Sequence, residues 1–110
     1  MPAKRFAALT LTSTTWTGVY TVPATQEAVM TVEAVNHDSS TAAHIWLAIT
    51  DETNPANTRN EEVIYSYKRL EPQQSRTFKV IVVAGGLTLS ARTDLPNSVT
   101  LCVYGFEETP

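Results

Sequence analysis

Residues 78–108 read FKVIVVAGGLTLSARTDLPNSVTLCVYGFEE, and the fold turns on how this run is divided. It holds three apolar segments separated by two breaks. In the first, Phe78, Val80 and Val82 alternate with Lys79, Ile81 and Val83. In the second, Leu87, Leu89 and Ala91 fall on one side. In the third, Val99, Leu101 and Val103 stand opposite Cys102 and Tyr104. Side chains alternate across a strand, so an apolar period of two marks a β-strand with one face on a core. Gly85–Gly86 is read as a hairpin turn with positive φ, and Thr93–Asn97 as a second turn.

The same period runs through the rest of the chain. Leu9 and Leu11 alternate with Thr10 and Thr12, and Trp16, Tyr20 and Val22 mark a short strand stopped by Pro23, which has no N–H for a ladder. Ala28, Met30, Val32 and Ala34 form one face of a third strand. Ala43, Ile45, Leu47 and Ile49 form one face of a fourth, with His44, Trp46 and Ala48 opposite. Val63, Tyr65 and Tyr67 are expected to share a side against Ile64 and Ser66. The clusters NHDSST (Asn36–Thr41) and DETNPANTRN (Asp51–Asn60) read as surface turn and loop. No helical stripe persists over three turns. About eight short strands predict an all-β antiparallel sandwich, jelly-roll or immunoglobulin-like. One domain should span residues 1–110, with residues 1–12 a first strand or arm that could engage a neighbour. The core is expected from Leu9, Leu11, Met30, Val32, Ile45, Leu47, Ile49, Phe78, Val80, Val82, Leu89, Leu101 and Val103.

Only 17% of the 110 residues are charged, against about 25% in an average domain, and the net charge is −3. Nucleic-acid binding calls for a basic patch, and Lys4-Arg5 and Lys68-Arg69 are too short to make one. No apolar run approaches the length of a membrane span, and no secretory leader is evident, so a soluble protein made in a cytoplasm is expected. Cys102 is the single cysteine and is expected to be a buried, inert thiol.

Catalytic patterns are missing. His37 and His44 have no cysteine pair to complete a metal set. NHDSST contains Ser, His and Asp types, but adjacency in sequence is not a triad. The carboxylates sit in loops and at strand borders, where solvated charge that blocks edge pairing is the simpler reading. The expectation is a protein that is not an enzyme and holds no metal or cofactor.

One feature does call for function. AVMTVEAV, HIWLAI and KVIVVA are apolar on both faces, whereas a two-layer sandwich should be apolar only inward. Loops could cover the second face, or a neighbouring subunit could. The interface candidates on this reasoning are Trp46, Ile81, Val83, Trp16, Tyr65 and Tyr67, aromatics being enriched at interface cores. The plainer alternative is that some of these rings simply pack the sandwich.

GVYTVPATQEAVMTVEAVNHDSSTAAHIWLAIT, followed by EEVIYSYKRL and GGLTLSARTDLPNSVTLCVYGFEE, resembles a module of small tailed-bacteriophage virion proteins. That module has a YTVP entry, a strand ending in Asn, and a final V-x-V-x-V-x-G-x-E strand, here Val99, Leu101, Val103, Gly105 and Glu107. It often has Asp where this chain has Gly86 in the last Ala-Gly-Gly turn. The resemblance covers roughly Gly18–Glu108. It implies a non-enzymatic virion structural protein, most concretely a capsid decoration (cement) protein. Such a protein would be assembled in the host bacterial cytoplasm and would bind the major capsid protein or other virion proteins as a homo-oligomer, a trimer being one form. A tail, baseplate or fibre adaptor is the alternative in the same class, and a carbohydrate-binding sandwich module the alternative outside it. Neither nucleic acid nor membrane is implied as a partner.

Overall fold

A computed structural model describes residues 4–82 and 85–109, with side chains for all of these but Ile81 and Val82. Eight strands form: β1 (Lys4–Leu11), β2 (Thr17–Thr21), β3 (Glu27–Asn36), β4 (Ala43–Thr50), β5 (Val63–Leu70), β6 (Ser75–Val82), β7 (Thr88–Thr93) and β8 (Val99–Glu108). They make two four-stranded sheets. The first has the order β1-β8-β3-β6 and the second β2-β7-β4-β5, and every pairing is antiparallel.

The chain crosses from one sheet to the other at every connection except β4–β5. That winding is the jelly roll, and it decides between the two sandwich types expected from the sequence. It also corrects the reading of Gly85–Gly86. These glycines lead from β6 in the first sheet to β7 in the second, so they form a crossing and not a hairpin. Gly86 has φ +86, and its N–H donates to Val22 O at 2.8 Å. A Cβ on Gly85 would lie 2.2 Å from Pro23 O, so only glycine allows the crossing to pass this close to the end of β2.

The core follows from the alternation. Ala28, Met30, Val32 and Ala34 of β3 face inward with Phe78 and Val80 of β6 and Val99, Leu101 and Val103 of β8. Ile45, Leu47, Leu89 and Ala91 close the core from the second sheet. Of the expected core residues, Leu9 and Ile49 are partly buried and pack against this cluster, and Val82 lies outside the described side chains.

Polar side chains pin both ends of the sandwich. Asn36 is fully buried; its Nδ2 donates to the carbonyls of Thr41 (2.9 Å) and Leu70 (3.2 Å), and its Oδ1 accepts from Asp38 N. At the other end Glu107 points between the sheets, taking Lys4 Nζ at 2.9 Å and the Tyr20 hydroxyl. Burial works against its charge, but these two donors hold its carboxyl below the usual range.

Candidate interaction faces

Each sheet has an outer face, and the two are covered differently. On the second sheet, the loop between β4 and β5 folds back over one end. Two short 3₁₀ turns, Pro55–Asn57 and Asn60–Glu62, shape it. Pro55 rests on Gly18 of β2, where a Cβ would come within 2.9 Å of Pro55 Cγ. Thr58 Oγ1 lies 3.1 Å from Ser90 Oγ of β7. Beneath, the outward-facing Ala48, Thr50 and Ser90 are fully buried. The latch is Glu62. Its Oε1 accepts from Thr50 Oγ1 (2.9 Å) and Arg59 N (2.8 Å), and its Oε2 from Asp51 N (3.2 Å). Burial opposes the charge, yet these donors and the Arg59 guanidinium hold the carboxyl at about 2. For β4, then, part of the doubly apolar pattern is satisfied by the chain's own loop.

The other end of that face carries a ladder of rings. Trp16 immediately precedes β2, Arg92 lies on β7, Trp46 on β4 and Tyr67 on β5. Arg92 pairs with Trp46 across the β4–β7 ladder, and its guanidinium sits 4.4 Å from the Trp46 ring centre and 5.9 Å from that of Trp16. Its Nε is buried without a hydrogen-bond partner, and the guanidinium is attracted to the electron-rich indole faces it lies over. Trp46 tilts against Tyr67 at 5.6 Å, and Tyr67 stacks on His44 at 3.9 Å with the rings 6° from parallel. His44 is fixed in turn by Asp94, which accepts from its backbone N and its Nδ1, both at 2.7 Å.

The structure separates Tyr65 from Tyr67, contrary to the expected shared side. Two register shifts between β4 and β5 each place an extra residue in β5, and at the one opposite Trp46, between Ile45 and Leu47, Tyr67 takes φ +55. This bulge turns Tyr67 outward. Tyr65 stays inward, its ring 4.9 Å from Phe78 and its hydroxyl donating to Lys79 O at 2.8 Å. Trp16 and Trp46 are half-buried within the ladder. Val83 and the side chain of Ile81 lie outside the described residues.

Among the described residues, no loop lies over the outer face of the first sheet at the Phe106 end. Phe106 (48% exposed) pairs with Val29 (43%), and Tyr104 (39%) stands two residues along β8 beside Thr31. Arg5 pairs with Tyr104 from β1. This patch was not among the interface candidates, although the alternation Cys102, Tyr104, Phe106 along β8 points to it. Further along lies a shallow depression of about 330 Å³ lined by Ala8, Thr10, Glu33, Val35, Thr100 and Cys102. Cys102 is accordingly half-exposed on this outer face and not the buried thiol expected from its strand.

No group of three or more His, Cys, Asp or Glu among the described residues is arranged to hold a metal ion, and no helix among them is long and apolar enough to cross a membrane. His37, exposed, lies 2.9 Å from Thr100 Oγ1, whereas His44 is bound to Asp94.

No protein-family model matches this sequence, and no curated protein matches it. By fold it is similar to a chain of the capsid of Ralstonia phage GP4, with a TM-score of 0.59 at 14% identity over 98% of this chain and 83% of that one. It is similar to the Tobacco streak virus coat protein, with a TM-score of 0.58 at 7% identity over 99% and 85%. It is also similar to a chain of the capsid of Helicobacter pylori bacteriophage KHP30, with a TM-score of 0.50 at 13% identity over 98% and 94%. At such identities the likeness is one of fold.

Proposed function

We propose that this chain is a non-enzymatic structural protein of a phage particle, and specifically a decoration protein that docks on the capsid and bridges neighbouring capsid subunits. What supports the class is the jelly roll it has in common with chains of two phage capsids and with a plant-virus coat protein. The docking face in this reading is the outer face of the first sheet, where Val29, Tyr104 and Phe106 form an exposed apolar patch among the described residues. Covering a Phe or Val side chain is worth about 1.5–3 kcal/mol before association costs. In this reading the half-buried Trp16 and Trp46 belong to the ring ladder on the opposite face and not to the docking face.

The test is co-sedimentation of the purified protein with particles that lack it. Wild type is expected to bind in many copies per particle and to saturate. Phe106→Asp and Phe106→Ser should lose about tenfold or more in affinity with the β-sheet circular dichroism unchanged. Saturation at a few copies per particle would favour the tail or baseplate adaptor. Binding by both variants equal to wild type would move the docking face elsewhere.

A further inference from the structure

We propose that Tyr67 is the stacking platform of a carbohydrate site, taking a pyranose unit of a surface glycan on the outer face of the second sheet. The first observation is conformational. Tyr67 has φ +55, a region that bulky residues avoid, and backbone strain of this kind persists where a function holds it in place. The second is what that conformation achieves. The residue is 61% exposed, more than any other large hydrophobic residue described, yet its ring is not loose. One face lies flat on His44, His44 is clamped by Asp94, and Trp46 abuts the ring from the side. The result is a rigid aromatic plane with one face open to solvent.

The surroundings select the ligand. Arg69 stands directly opposite His44 in the β4–β5 ladder and is paired with Glu71, while Asp94 reaches His44 from the β7 side. Asp94, Arg69 and Glu71 are exposed. A protein partner covering Tyr67 would have to desolvate these charged groups, and interface cores are depleted in charge for that reason. A sugar does not impose that cost. Its C–H face packs on the electron-rich ring, and its hydroxyls replace water on the carboxylates and the guanidinium. A nucleobase would stack equally well, but the two carboxylates on the rim and the net charge of −3 repel its phosphates.

The particle reading contributes only direction: with the first sheet docked, this face points away from the capsid. Sugar binding itself is measured on the free protein and stands or falls separately from the Phe106 variants. Saturation-transfer NMR with maltotetraose, cellotetraose and galactotetraose is expected to show transfer to the C–H protons of one sugar face for at least one of them. Tyr67→Asn keeps a residue that tolerates positive φ but removes the ring, and should weaken that binding about tenfold or more. Tyr67→Phe should retain it, and Phe106→Ser should not change it. The proposal is overturned if none of the three sugars shows transfer, or if Tyr67→Asn binds like wild type. It also fails if Tyr67→Asn loses particle binding in the co-sedimentation assay while sugar transfer is unaffected, since the ring would then be a protein contact.

Discussion

Glu61 and Glu62 are adjacent and chemically identical, yet 71% of one side chain is exposed and 9% of the other. The difference comes from the loop, which turns Glu62 back onto Thr50 and Asp51 while Glu61 points into solvent. Nothing in NEEVIY distinguishes them, whereas Glu107 differs from Glu108 by strand parity, since it continues the inward face of Val99, Leu101 and Val103. Reading every carboxylate as solvated edge charge therefore misses the two that tie structure together. The consequence for pH has a definite sign. Folding lowers the Glu62 carboxyl from 4.5 to about 2, so the folded state binds its proton less readily than the unfolded chain does. Its contribution to stability is complete above the ordinary carboxylate range and is lost as pH falls from about 4.5 towards 2. Urea midpoints measured across this window should fall for wild type and fall less steeply for Glu62→Gln, which lacks the titrating group. Equal slopes would mean that the latch does not contribute.

At the scale of the element, the alternation of β3 and β8 is legible residue by residue, because both strands lie inside the first sheet with one face on the core. β5 is not legible in the same way. It is an edge strand, and its bulge reverses the parity between Tyr65 and Tyr67 without any Gly, Asn or Pro to signal it. The two tyrosines should therefore respond in opposite ways to truncation. Tyr65→Ala removes a ring packed on Phe78 and should cost about 2–4 kcal/mol. Tyr67→Gly also loses a ring, but it relieves a left-handed conformation worth about 1–2 kcal/mol to a residue with a Cβ. Its stability is expected to stay within about 1 kcal/mol of wild type, the lost stacking being of similar size. Denaturant unfolding of the two variants checks this, and a Tyr67→Gly loss as large as that of Tyr65→Ala would show that the ring is structural.

For the whole molecule, strand number and core were readable, but the winding was not. A strand's pattern tells which residues face inward and says nothing about which sheet it joins, so Gly85–Gly86 looks the same whether it folds a hairpin or carries the chain across the sandwich. The jelly roll places β1 against β8, with Lys4 opposite Gly105 and Leu11 opposite Val99. This pairing gives the protein a direction of mechanical weakness. Force applied between residue 4 and residue 108 pulls on two strands from the same end, so the rungs open in succession, starting at the Lys4–Glu107 pair and the register shift beside Arg5. Force applied between residue 4 and residue 97 slides the two strands past each other and loads the whole ladder at once, since its bonds run perpendicular to the strands. Single-molecule pulling should find a much lower rupture force in the first geometry than in the second. A load carried through the sheet face, as a docked subunit would carry it, avoids that seam altogether.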